Sequence, residues 1–157
     1  MRMERRDTMN VTIEEAVERL KASGVRMTAQ RELILDYLYA RLSHPSAEEL
    51  FEAIYADYPR VVSITTIYKN MRVLRDLGLL KEFYVRQTGI ARYDTNVLPH
   101  HHLYCVRCGR VTDYTGALSL PSIEVSPGFQ AHSIFLEVTG TCKACAVLQR
   151  PERGIAI

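Results

Sequence analysis

The chain has 157 residues, 47% of them hydrophobic and 24% charged, with a formal net charge of +2. Those proportions exclude collagenous, disordered and extended coiled-coil chains, and the length suits one ordinary domain or two small ones. The net charge carries no nucleic-acid signal, so any basic footprint has to come from local clustering.

Residues 1–10, MRMERRDTMN, are polar and expected to be disordered. They hold no apolar stretch of the signal-peptide kind, and no run of roughly 18 apolar residues follows, so a cytoplasmic protein without a spanning helix is expected. From 12 to 23, Ile13, Ala16, Val17 and Leu20 keep helical spacing, and Gly24 is a natural stop. A second helix is predicted from Thr28 to Arg41, with Leu33, Ile34, Tyr37 and Leu38 as its apolar face. A third opens at Ser46, where Glu49 completes a capping box, and Pro59 blocks its continuation. The fourth runs from Ser63 to Leu77 and stops at Gly78. Ile64, Ile67, Met71 and Leu74 form its apolar stripe. Its other face carries Thr65, Thr66, Tyr68, Lys69, Asn70, Arg72 and Arg75.

Two strands follow, Leu79–Arg86 and Ile90–Asp94, joined around Gln87, Thr88 and Gly89 as a hairpin. Helices followed by a polar, aromatic and basic helix and then a hairpin predict a winged helix-turn-helix over residues 1–94. Residues 95–99 read as a hinge. Residues 100–147 read as a second α/β domain, with strands near 102–106, 110–114 and 132–140, and 148–157 as a flexible tail. The stretch with Pro121, Ser122, Ser126, Pro127 and Gly128 is loop-rich. The fold class is therefore α+β in two domains.

Three features carry chemistry. Cys105-x-x-Cys108 and Cys142-x-x-Cys145 have the spacing of a structural zinc site. Each pair places two thiolates on one ion, the second pair closes the tetrahedron, and Gly109 suits the tight turn of the knuckle. Four protein ligands leave no open position, so such a site contributes folding energy rather than catalysis. His100 and His102 fall on one face of a strand and His101 on the other. With His44, Asp94 and Asp113 they offer imidazoles and carboxylates, which suit Fe(II), Mn(II), Co(II) or Ni(II) better than thiolates do. His132 stands apart as a surface residue or a weak auxiliary site. On the fourth helix, Tyr68, Thr65 and Thr66 are suited to thymine methyls and sugars, and Lys69 and Arg72 to phosphate or guanine. No P-loop, Gly-rich dinucleotide loop, G-x-S-x-G or H-E-x-x-H is present, and no enzyme is expected.

Four stretches together resemble the ferric uptake regulator (Fur) superfamily of bacterial metal-dependent repressors. They are Arg26-Met27-Thr28-x-x-Arg31, His44-Pro45-Ser46-Ala47-Glu48-Glu49-Leu50, Ser63-Ile64-Thr65-Thr66-Ile67-Tyr68-Lys69-Asn70, and His100-His101-His102-Leu103-Tyr104-Cys105-Val106-Arg107-Cys108-Gly109. The resemblance covers the chain from about Thr12 to Cys145. It implies a C-terminal dimerisation domain, one structural Zn2+ per subunit, and a regulatory Fe2+ or Mn2+ held by His44, Asp94, His100, His102 and Asp113. It implies palindromic AT-rich operator DNA as partner, read by the fourth helix, including Asn70, and by Arg26 in the minor groove. The aspartates at 94 and 113 resemble the peroxide-sensing PerR branch, where iron-uptake regulators usually carry glutamates. His44 or His100 is then the residue that peroxide oxidises. The short segment between Asp113 and Phe129, with its two prolines, departs from the family, and the helix often found there is expected to be abbreviated or missing.

Overall fold

The computed structural model describes residues 11–114, 116, 127–130 and 136–148. The expectations for residues 1–10, for Pro121 to Ser126, for His132 and for the tail beyond Leu148 lie outside them. The chain divides into two compact units, one ending at Leu98 and the other starting at Pro99.

The first unit is a winged helix-turn-helix: α1 (Ile13–Ala22), α2 (Ala29–Asp36), α3 (Ala47–Asp57), α4 (Ile64–Asp76) and the hairpin β1 (Lys81–Tyr84) and β2 (Ala91–Asp94). Each helix opens on a hydroxyl cap, Thr12, Thr28, Ser46 or Ser63, whose oxygen accepts an otherwise unpaired N–H of the first turn. The Ser46–Glu49 capping box is formed, and Thr12 and Glu15 form a second. The helix read from Thr28 to Arg41 does not run uniformly. Past Asp36 it widens into a π-helical turn, Tyr37–Arg41, where the Leu42 N–H reaches back five residues to the Tyr37 carbonyl. There the Tyr37 hydroxyl donates to Asp57, and the Arg41 guanidinium lies 4.6 Å from the centre of the Tyr37 ring. At the end of α4 the Leu79 N–H bonds the Leu74 carbonyl and the Gly78 N–H bonds Arg75. This closure requires positive φ at the residue after the cap, and Gly78 has φ +66°.

The apolar stripes meet in one core. Leu20, Ile34, Leu35, Leu50, Ile54, Ile67, Met71, Leu74 and Leu79 have lost essentially all solvent contact. Complete burial of one such side chain contributes about 1.5–3 kcal/mol. The same core fixes which face of α4 is left outward.

In the second unit, β3 (His101–Cys105) lies between β4 (Val111–Tyr114), antiparallel to it, and β5 (Glu137–Gly140), parallel to it. Of the strand predicted over 132–140, residues 132–135 lie outside the described residues, and β5 opens at Glu137. A short helix absent from the sequence reading follows, α5 (Lys143–Val147), with Cys142 as its N-cap. It has no side-chain cap hydrogen bond: the group at that position is a thiol, 3.8 Å from Cys108 Sγ, while the Cys142 N–H donates to Cys105 Sγ at 3.3 Å. Among the described residues no helix is long and apolar enough to cross a membrane.

Candidate metal centres and nucleic-acid interface

The two cysteine pairs sit on different local frames. Cys105 ends β3, and Cys108 follows in a turn closed by the Gly109 N–H on the Cys105 carbonyl, 2.9 Å, with Gly109 at φ +70°. Cys142 and Cys145 occupy the N-cap and third position of α5. The parallel pairing of Cys105 with Gly140 brings the frames together. One ligand sulfur from each of the four lies within 4.8 Å of the others, and none is in a disulfide. Zinc–sulfur bonds of about 2.3 Å in a tetrahedron require sulfurs about 3.8 Å apart. Cys108 Sγ and Cys142 Sγ are 3.8 Å apart.

The electrostatics agree with a cation site. The backbone N–H groups of Cys142 and Cys108 point at Cys105 and draw its thiol down to about 6. Cys145 is pushed up to about 12, chiefly by its hydrogen bond to Cys142. Four clustered thiols cannot all ionise against one another, and a divalent cation removes that repulsion. The cluster fits structural zinc.

The imidazole and carboxylate residues fall into two groups, one in each unit. In the second unit, antiparallel register sets His102 directly opposite Asp113, so both project from one face of the sheet. His100, just before β3, joins them. His100 Nε2 and His102 Nε2 are 2.9 Å apart, and Asp113 Oδ1 lies 3.2 and 3.7 Å from them. Ligands about 2.1 Å from one ion and 90° apart are separated by about 3.0 Å. The trio therefore suits adjacent positions on an octahedral first-row ion such as Fe(II) or Mn(II). His101 faces the other way and accepts the Leu136 N–H at 3.2 Å.

In the first unit, His44 and Asp94 are both buried, with Nε2 and Oδ2 3.4 Å apart. His44 adopts φ +51°, an uncommon conformation for a non-glycine residue. Four contacts hold the pair, none of them anticipated from sequence. Ser43 Oγ lies 2.8 Å from His44 Nδ1, which directs Nε2 toward Asp94. The Asn96 N–H occupies Asp94 Oδ1 at 2.8 Å. The Tyr93 N–H bonds the Pro45 carbonyl and Arg92 reaches the His44 carbonyl, tying β2 to the loop before α3. An aspartate side chain that accepts the N–H two residues on is a local turn device, so the turn at Asp94 was visible in principle.

On α4, Thr65, Tyr68, Lys69 and Arg72 are exposed and Thr66 half-buried. Arg75 bonds Glu82 of β1 at 2.6 Å and so braces the wing. Asn70 departs from the expectation that places it with the contact residues. It is only 7% exposed, and both ends of its amide are used. Its Nδ2 donates to the Thr66 carbonyl and its Oδ1 accepts Arg31 Nε, each at 2.8 Å. Arg31 Nη1 also donates to the carbonyl of Arg26, itself an exposed residue. Asn70 thus points into the helix packing and connects α4 to the segment carrying Arg26.

A model of the ferric uptake regulator family matches residues 22–139. The peroxide-responsive repressor PerR of Staphylococcus aureus (strain USA300) is 34% identical over 140 residues, covering 85% of this chain and 90% of its own. Among solved structures, the Helicobacter pylori ferric uptake regulator Fur is similar in fold, with a TM-score of 0.64 at 21% identity, over 87% of this chain and 95% of its own. A zinc-bound manganese uptake regulator is 29% identical with a TM-score of 0.62, over 83% of this chain and 98% of its own.

Proposed function

The chain belongs to the ferric uptake regulator family of metal-responsive repressors, whose members are transcription regulators and not enzymes, and from that premise we propose that it is a peroxide-responsive, metal-dependent repressor. It binds palindromic AT-rich operator DNA as a homodimer in the cytoplasm. The observation that carries the metal half is the convergence of His100, His102 and Asp113 within 3.7 Å, with no thiolate among them. One regulatory ion is shared by His44 and Asp94 of the first unit and by this trio of the second. Ligands on either side of the 95–99 hinge make metal an effector that selects one arrangement of the recognition helices. In a dimer, those helices meet half-sites one helical turn, about 34 Å, apart. Thr65, Thr66, Tyr68 and Lys69 meet base edges and sugars, Arg72 a phosphate, and Arg26 the minor groove.

The peroxide half is supported by the aspartates at 94 and 113 and by the 34% identity with a peroxide-responsive repressor. Bound iron supplies the redox activation of peroxide. In the net change, peroxide gives one oxygen atom to a ring carbon of His44 or His100 and leaves as water. The modified imidazole is a poorer ligand, and repression ends.

The test loads the zinc-containing protein anaerobically with Fe(II), adds a small excess of peroxide and reads tryptic peptides by mass spectrometry. One added oxygen on the His44 or His100 peptide, absent with Mn(II), is expected. Unmodified histidines would refute peroxide sensing. They would favour an iron- or manganese-responsive uptake repressor, the second reading, which the 29% identity with a manganese uptake regulator supports.

A further inference from the structure

The Tyr68 hydroxyl lies 2.5 Å from Oε1 of Glu48, in the first turn of α3. Both residues are exposed, so packing alone does not force the contact. An ionised carboxylate only accepts, so the phenol is the donor. The bond holds the Glu48 carboxyl below its ordinary range and the Tyr68 phenol above its own. A phenol has a single O–H. Once that proton is committed to Glu48, the Tyr68 oxygen has only lone pairs to offer to anything else. In the major groove the groups that answer a lone pair are the N6 amino group of adenine and the N4 amino group of cytosine. Guanine N7 and O6, adenine N7 and thymine O4 are themselves acceptors.

We propose that Glu48 is a positioning residue that sets the hydrogen-bond polarity of Tyr68, making its hydroxyl an acceptor that selects adenine or cytosine over guanine or thymine at the base it meets. This rests on α4 being the DNA-facing helix. A carboxylate on the DNA side of a winged helix opposes phosphate binding, and under this proposal it exchanges some affinity for discrimination.

The experiment uses the full zinc-loaded chain with Mn(II), a pool of random duplexes enriched by the parent protein, and the variants Tyr68→Phe and Glu48→Gln. At one base pair the parent's preference should depend on a major-groove amino group: exchanging the adenine there for purine, or the cytosine for 2-pyrimidinone, each lacking that group, should weaken parent binding by about tenfold, the scale of one good base contact. Tyr68→Phe should flatten that position alone. Glu48→Gln should flatten it too, because its amide can donate to the phenol as well as accept from it. A Tyr68-dependent preference that survives removal of the amino group would overturn the proposal, as would a Glu48→Gln pattern identical to the parent's. A second readout needs no DNA: the titration of the Tyr68 ring carbon by NMR, its signal identified by loss in Tyr68→Phe. In Glu48→Gln that titration should move down toward the ordinary tyrosine range. If it does not move, the hydrogen bond is absent in solution and the proposal falls even where Tyr68 reads a base. If it moves but Tyr68→Phe leaves every base preference intact, the placement of Tyr68 on DNA is what fails, and the proposal goes with it.

Discussion

Replacing Asn70 by alanine separates two roles that its position on α4 allows. The amide is buried and makes two hydrogen bonds of 2.8 Å, one from the Arg31 guanidinium and one to the Thr66 carbonyl. A neutral hydrogen bond contributes about 0.5–1.5 kcal/mol and one to a charged group about 1.5–3 kcal/mol. Asn70→Ala removes both and leaves Arg31 Nε without its acceptor, so a loss of about 2–4 kcal/mol is expected. For a domain of this size each kcal/mol corresponds to roughly 4–8 °C, giving a fall of about 10 °C or more in the unfolding of the helical unit. Circular dichroism at the helical band follows it. Asn70→Asp keeps the acceptor for Arg31, with full charge, but sets a carboxylate oxygen against the Thr66 carbonyl, so it should recover part of the loss. A protein with unchanged thermal stability but weakened operator binding would refute this reasoning and return Asn70 to the DNA face.

Three further outcomes follow from the geometry. Arg72→Ala should leave stability within about 0.5 kcal/mol, since its side chain is 77% exposed and pairs with Asp76 only at 3.8 Å. It should weaken DNA binding across sequences and lower the slope of log affinity against log salt by about 1; a change confined to one operator base would contradict the phosphate role. Cys108→Ser should abolish retention of one zinc per chain. It should also speed amide exchange at Val106, whose N–H bonds the Gly140 carbonyl at 2.9 Å, and unchanged exchange would show that zinc does not hold β5 in place. Ser43→Ala should weaken Mn(II) binding by about tenfold with zinc content unaffected, the usual cost of losing a group that orients a ligand imidazole. Calorimetric titration with Mn(II) measures it, and parental affinity would mean that Ser43 does not orient His44.

The elements with strong local signals were legible. Ser46 and Glu49 announced α3, Gly24 and Gly78 marked helix stops, and the two C-x-x-C spacings identified the zinc cluster before any geometry was known. Asn70 shows how a correct period still misleads. It stands three residues after Ile67 and four before Leu74, which is the core stripe of α4, yet its polar side chain suggests the solvent face. A buried amide is tolerated there because Arg31, distant in sequence, donates to its oxygen, and a partner 39 residues away leaves no local trace. The π-helical turn at Tyr37–Arg41 was illegible for another reason: one extra residue in five hardly shifts an apolar pattern. Helix α5 has five residues and no hydroxyl cap, too little for periodicity or capping to register.

The candidate ligand residues that sequence did reveal are presented by neighbours that it did not. A histidine has two ring nitrogens and a carboxylate two oxygens, and a metal needs one of each. At His44 the residue immediately before it engages Nδ1; at Asp94 the backbone two residues on engages Oδ1. Each contact leaves the remaining atom, Nε2 or Oδ2, directed at the other. Both devices are local, whereas the meeting of the two residues depends on the long-range contacts that tie β2 to the loop before α3. His102 and Asp113 are instead matched across a strand pairing, and their alignment requires that register to be kept. A one-residue slip of β4 would turn Asp113 to the opposite face, so the zinc cluster at the end of β3 supports this group by holding the end of the sheet. The structural ion should therefore come first in assembly: thiolates fix the sheet, the sheet fixes His102 against Asp113, and only then does that trio exist for a second metal.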